Sequence, residues 1–241
     1  MLTSKEFNAD QVRRAQDARY LHVCTGHPSD DQLILSLSHG TILGTGVTAQ
    51  DVRNANDILG ACLSCTVGKK LKPSYYESVI SEPASRIGEK VYADVYFLGC
   101  DKKQPTVLGG YTYMLISVDG FSNMLHLTPL KSRDSDDIIV SLKELMGYYA
   151  KYDWSIGELH TDAESGIKAA KTWINSNKGM KHVPGIPGQK CQRIERQVFS
   201  VDQRLRAIIA SAPTEIPHFL TAQAALAAVY ALNDMPTKKN P

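Results

Sequence analysis

Nowhere in its 241 residues does the chain carry an apolar run approaching the roughly 20 residues that cross a bilayer as a helix. The opening stretch, MLTSKEFNADQVRRAQ, has no apolar segment of the secretory kind, so no signal sequence is expected there. Excess charge is also missing. With a net charge of +2, any contact with nucleic acid has to come from local basic patches rather than a bulk field. No internal repeat is visible, which excludes a solenoid. Cysteines are few and odd in number, five in all, and two are spaced as CxxC. That pattern points to a reducing compartment and a metal site, not a disulfide framework. What remains is an ordinary globular composition, 43% hydrophobic and 22% charged, in a chain long enough for one large domain or a small one plus a medium one.

The N-terminal third reads as short helices around a metal site. Ser4 is placed to cap a first helix running to about Tyr20, with Phe7, Val12 and Ala15 inward. Ser29 or Asp30 starts a second, with Leu33, Ile34 and Leu37 on its core face, and Thr48 caps a third. Four residues lie between His22 and His27, 34 more precede Cys62, and two separate Cys62 from Cys65. Two imidazoles and two thiolates suit one tetrahedral, structural Zn²⁺ with no open position. Cys24 and His39 are rival ligands with less natural spacing. About 60 residues bury too little surface to be comfortable without such a staple. The expected domain is 1–65. Residues 66–87, rich in Pro, Ser and Lys, read as an extended linker. There Lys69, Lys70 and Lys72 either contact phosphate or form a plain solvated basic tail.

Residues 88–241 form the expected second domain. EKVYADVYFLG, GYTYMLISVDG and SNMLHLTPL read as an antiparallel meander. A helix follows, capped by Asp134 or Ser135, with Ile138, Leu142, Leu145 and Tyr149 on one face. A short strand, Ile156 to Thr161, delivers Asp162 at its C-terminal end, where α/β sheets place ligands. After a helix near 166–175 and a strand near Lys181 to Val183, RIERQVFSVDQRLRAII is amphipathic. Its Ile194, Val198, Val201, Leu205 and Ile208 step by four, three, four and three. A last, alanine-rich helix packs Leu220, Ala224, Ala227 and Leu232. This order resembles the ribonuclease H-like fold, an α/β class with a mixed five-stranded sheet and helices on both faces.

In a sheet of that order, an acid in the first strand, one after the fourth and one in the following helix converge. Asp94, Asp162 and Glu195 hold those places, with Glu164 a rival third ligand and Asp119 and Asp101 read as turn residues. Clustered carboxylates repel and call for cations, and hard oxygen ligands select Mg²⁺ or Mn²⁺. Two such ions suit an in-line displacement at phosphorus. Arg193, Arg196 and Arg204 share one side of the Glu195 helix, extended by Lys190. They either hold DNA phosphate through planar forks or stay as solvated charges.

The combined motifs resemble the integrases of retroviruses and long-terminal-repeat retrotransposons, with the Ty1/copia type the nearest in look. LHVCTGHPSDDQL is similar to that family's zinc-histidine stretch, CLSCTVGKK to its cysteine knuckle, HTDAESG to its second-acid motif and IERQVFSVDQRLR to its Glu-Arg helix. HFLTAQAALAAVYALNDMPTKKNP is similar to the helix after its core. The resemblance implies strand transfer of a DNA 3′-hydroxyl onto a target phosphodiester, with two Mg²⁺ at Asp94, Asp162 and Glu195 and one structural Zn²⁺. It also implies double-stranded element and target DNA as partners, a homo-oligomer on DNA, a host tether, and nuclear location after assembly in virus-like particles. Two departures stand out. Cys191-Gln192-Arg193-Ile194 occupies the place of the family's Asn-Gly, and Ala163-Glu164-Ser165-Gly166 follows the second acid. The family's basic C-terminal region is also not expected in the stretch after the last helix. A catalytically weakened or domesticated binding scaffold is the alternative reading.

Overall fold

Three local motifs, N-x-x-Q, S-x-x-Q and T-x-x-D, start the first three helices. In each, the cap side chain accepts from the backbone N–H three residues on, and that residue's side chain accepts from the cap's own N–H. The caps are Asn8 for α1 (Ala9–Cys24), Ser29 for α2 (Asp30–Ser38) and Thr48 for α3 (Ala49–Leu59). The computed structural model describes residues 7–69, 83–97, 111, 113–162, 167, 170–176, 179–185, 191–217 and 219–235. Ser4 lies outside them, and the cap that starts α1 is Asn8, four residues later than expected. Ala15, Ala18, Leu33, Val52 and Ala55 form the core of these helices, with Leu21, Ile34 and Leu37 packed against it. A short helix, α4 (Leu63–Gly68), follows the knuckle cysteines. It carries helical structure past residue 65, into the stretch read as linker.

The sheet is built from β1 (Lys90–Phe97), β2 (Tyr113–Asp119), β3 (Leu125–Leu130), β4 (Glu158–Thr161) and β5 (Lys181–Pro184), in the order β3-β2-β1-β4-β5. β1, β2 and β3 pair antiparallel, as the meander predicts, whereas β4 and β5 join the other edge in parallel. Alternation along β1 sends Val91, Ala93 and Val95 to one face. There they meet Ile138, Leu142, Leu145 and Tyr149 of α5 (Ser135–Ala150), the face its period predicts. Ile174 of α6 (Lys171–Ser176) joins that core. Tyr92, Asp94 and Tyr96 face the other way. On that side lies α7 (Gln192–Ser211): Arg193 sits 5.4 Å over the Tyr92 ring, and Tyr96 Oη donates to Asp202. Helices therefore cover both faces of a mixed five-stranded sheet, the ribonuclease H-like arrangement.

α8 (Thr221–Asn233) departs from expectation in its packed face. Thr221, Ala222, Ala224, Ala225, Ala228 and Val229 are buried while Ala227 is exposed. A helix with alanine on every side offers no single apolar stripe, so periodicity cannot choose the face. The chain divides into two compact units. One holds the described residues through 69 with Gln203–Glu215 and 230–235; the other holds those between 83 and 202 with Ile216–Val229. No helix among the described residues is long and apolar enough to cross a membrane.

A candidate metal centre and an acidic site

His22 ends α1, and a tight turn returns the chain so that His27 faces it. The knuckle cysteines flank the start of α4. The four ligand atoms lie within 4.8 Å of one another. Nε2 of His22 is 3.2 Å from Sγ of Cys65 and 3.2 Å from Nδ1 of His27. Nδ1 of His27 is 3.7 Å from Sγ of Cys62 and 3.6 Å from Sγ of Cys65. A tetrahedral zinc with ordinary bond lengths requires N···N edges of about 3.3 Å and N···S edges of about 3.6 Å. The residues fit the ion.

Protonation agrees with the geometry. Burial, with His27, Lys69, Arg19 and Arg204 adding their charge, pushes His22 down to about 3. Burial, then Lys69 and Arg204, pushes His27 down to about 4. Both rings are thus neutral near pH 7, the form that ligates. Burial raises the Cys62 thiol, but hydrogen bonding from the Cys65 backbone and Arg19 outweighs it, and the net shift is downward. Cys65 is raised by burial, against the pull of Lys69. Cys24 and His39, the rival ligands, are exposed and outside the cluster.

The acids come from three elements of the sheet unit. Asp94 sits mid-β1 opposite Ile116, Asp162 directly follows β4, and Glu195 lies in the first turn of α7. Each is half-buried. Asp94 Oδ1 accepts from the Val95 N–H at 2.7 Å. Burial raises the Asp94 carboxyl above its ordinary range, and the Val95 bond opposes this. The charges of Asp162 and Glu195 push it further up, while Arg133 pulls it down. Asp94 therefore feels the charge of both other acids. Among the described residues, however, only the His/Cys four close to ligand-sharing distance. Exposed Arg133, just past β3, is a cation that sequence reading missed. Nothing in local periodicity reveals that the end of β3 lies within reach of Asp94. Glu164 and Asp101 are outside the described residues.

The seven basic residues read as candidates for contact with phosphate fare unequally. Lys70, Lys72 and Lys190 lie outside the described residues, and Arg196 is exposed. Arg193 Nη2 donates to Gly120 O and to Asn123 Oδ1 at 2.6 Å, pinning the start of α7 to the β2–β3 turn. Lys69 Nζ donates to His27 O at 2.5 Å. Arg204 is 4% exposed, and its Nη1 donates to Gly26 O at 2.6 Å. These last three guanidinium and ammonium groups serve protein acceptors. Helix periodicity gives a residue's side, not what packs against it.

No protein-family model matches the chain, and no curated protein matches it. Its fold is similar to a chain in the simian T-cell lymphotropic virus intasome in complex with PP2A regulatory subunit B56 gamma, at 19% identity and a TM-score of 0.50. That match covers 89% of this chain but only 65% of the viral one. A second similar structure is the HTLV-2 integrase catalytic core domain in complex with magnesium (trimeric form), at 16% identity and a TM-score of 0.43, over 60% of this chain and 84% of that one. Fold and site together define a class: a ribonuclease H-like α/β core accompanied by a helical unit with a His₂Cys₂ cluster.

Proposed function

We propose that the chain is an integrase-type polynucleotidyl transferase, inserting the DNA of a long-terminal-repeat retroelement of the Ty1/copia kind into target DNA. The observation that carries this reading is the set of three acids, delivered by β1, the end of β4 and the first turn of α7, whose charges meet at Asp94. The likeness of fold to the viral intasome chain supports it. Asp94, Asp162 and Glu195 would hold two Mg²⁺ or Mn²⁺. When bound, the ions supply an activated 3′-hydroxyl and charge relief at the leaving oxygen. The Val95 N–H keeps Asp94 aimed, and the Arg193 anchor holds the helix turn that carries Glu195. Arg196 and Arg133, both exposed, are proposed to meet phosphate, with Lys70 and Lys190 as further proposed contacts.

His22, His27, Cys62 and Cys65 would hold one structural Zn²⁺ in the N-terminal domain, 1–65. Residues 66–87 are proposed as the linker and 88–241 as the catalytic core. Double-stranded element and target DNA, further copies of this chain and a host tether are the proposed partners, and the nucleus the proposed site of action.

Strand transfer with oligonucleotides mimicking element ends, in Mn²⁺, tests the reading. The wild type should join ends to target, and Asp94→Asn, Asp162→Asn and Glu195→Gln should each abolish joining while the protein stays folded. Joining that survives all three substitutions would refute the acid site. A weakened, DNA- or protein-binding scaffold is the second reading, favoured by acids that stand further apart than the His/Cys ligands. Divalent-metal titration separates the two, because a scaffold has no tight two-metal site.

A further inference from the structure

The turn that aims His27 at the cluster is strained. Gly26 has φ of 72° and His27 has φ of 59°, so two successive residues are left-handed and the second is not glycine. Side chains with a Cβ resist this region, and such strain persists only where the surroundings over-determine it. Within the turn, Gly26 N–H donates to Val23 O and His27 N–H donates to His22 O, at 3.0 and 2.9 Å. A Cβ on Gly26 would lie 2.7 Å from Cβ of Ala231, so no other residue fits there.

The two outward carbonyls of the turn are each taken by a cation. Gly26 O accepts from Arg204 Nη1, from a residue 178 positions away in the chain. His27 O accepts from Lys69 Nζ. Both donors also stand close enough to Cys65 for its charge to be felt at each. A buried arginine is costly unless its donors are used, and here one of them is used on the residue before a ligand. Arg206, the next arginine on α7, instead donates to Gly68 O at 3.1 Å and is exposed.

We propose that Arg204 and Lys69 are positioning residues of the metal centre, clamping the left-handed Gly26–His27 turn so that Nδ1 of His27 is aimed before the metal arrives. The inference rests on the zinc reading of the His/Cys cluster. It means that the centre is not self-contained in the N-terminal helices, since a turn of α7 completes its support.

The test uses the full chain, with zinc counted by elemental analysis and its release to a chromogenic chelator followed over time. Wild type should carry one zinc. Arg204→Met should hold it about 10- to 100-fold more weakly, the usual loss for a group that orients a metal ligand, while far-UV dichroism stays unchanged. Arg204→Lys, which keeps a donor, should recover most of the hold, and Arg206→Met should match wild type. The Co²⁺-loaded protein should show a shifted visible spectrum in Arg204→Met, reporting altered ligand geometry. If Arg204→Met fails to fold, Lys69→Met carries the same expectation. Folded variants that hold zinc as tightly as wild type, or an Arg206→Met loss equal to that of Arg204→Met, would overturn the clamp. A wild type without zinc would instead remove the metal reading beneath it.

Discussion

Asp51 shows how one carboxylate can serve two structures at once. It accepts from the Thr48 N–H and hydroxyl at the start of α3, and from both Nε and Nη2 of Arg14 on α1. Hydrogen bonding to Arg14 chiefly, with Thr48 helping, depresses its pKa to about 2 from an ordinary 3.8. Because the folded value is the lower one, the unfolded chain binds the proton first as pH drops. The stabilisation is complete above about pH 4 and is lost as pH falls toward 2. Arg14 is 40% exposed, so solvent screening discounts the gain to about 1–2 kcal/mol. Urea unfolding of the metal-free chain across that window should show the loss, and Asp51→Asn should lessen it. The remainder comes from His22 and His27, whose depressed values make the unfolded chain take up their protons first as well. Asp119 makes a contrast with Asp94. It is fully buried and accepts from the N–H groups of Gly88, Phe121 and Ser122 and the hydroxyls of Ser122 and Tyr149. A carboxylate so fully supplied with donors organises a turn. Asp94, pressed by two other acids, is the one suited to a cation.

At the scale of elements, α7 is the helix whose two ends do different things. Its first turns carry Glu195 and the Arg193 anchor, and its later turns belong with the N-terminal helices. Contact there is close: a Cβ on Gly68 of α4 would sit 2.6 Å from the backbone N of Ala207 and 2.9 Å from its Cα. Backbone atoms cannot swing aside as a flexible side chain does. Gly68→Ala should therefore destabilise this unit by about 1–3 kcal/mol, the usual cost of overpacking, although alanine is the better helix former. Thermal unfolding would check it, and an unchanged or raised midpoint would mean that α4 and α7 have room to separate.

For the whole molecule, unit membership predicts what metal loss does. Stripping the metal with a chelator, or Cys62→Ser, should raise hydrogen exchange across 7–69 and also across 203–211, which shares that unit, while β1 to β5 stay protected. Exchange confined to 7–69 would show that the second half of α7 gains nothing from the centre. Much of this was legible in the chain. The succession of strands and helices along the chain, the α5 face of Ile138, Leu142, Leu145 and Tyr149, and the caps at Ser29 and Thr48 all depend on neighbours within a turn or a strand. Local chemistry is sufficient for such features: 3.6- and 2-residue periods and side chains that cap their own backbone act over a few residues. The hydrogen-bond partners of Arg193, Arg204 and Lys69, the buried face of α8 and the charge of Arg133 felt at Asp94 were decided only by tertiary structure. An arginine reads the same in sequence whether it meets phosphate or a carbonyl 178 residues away, because its partner is chosen by packing and not by spacing.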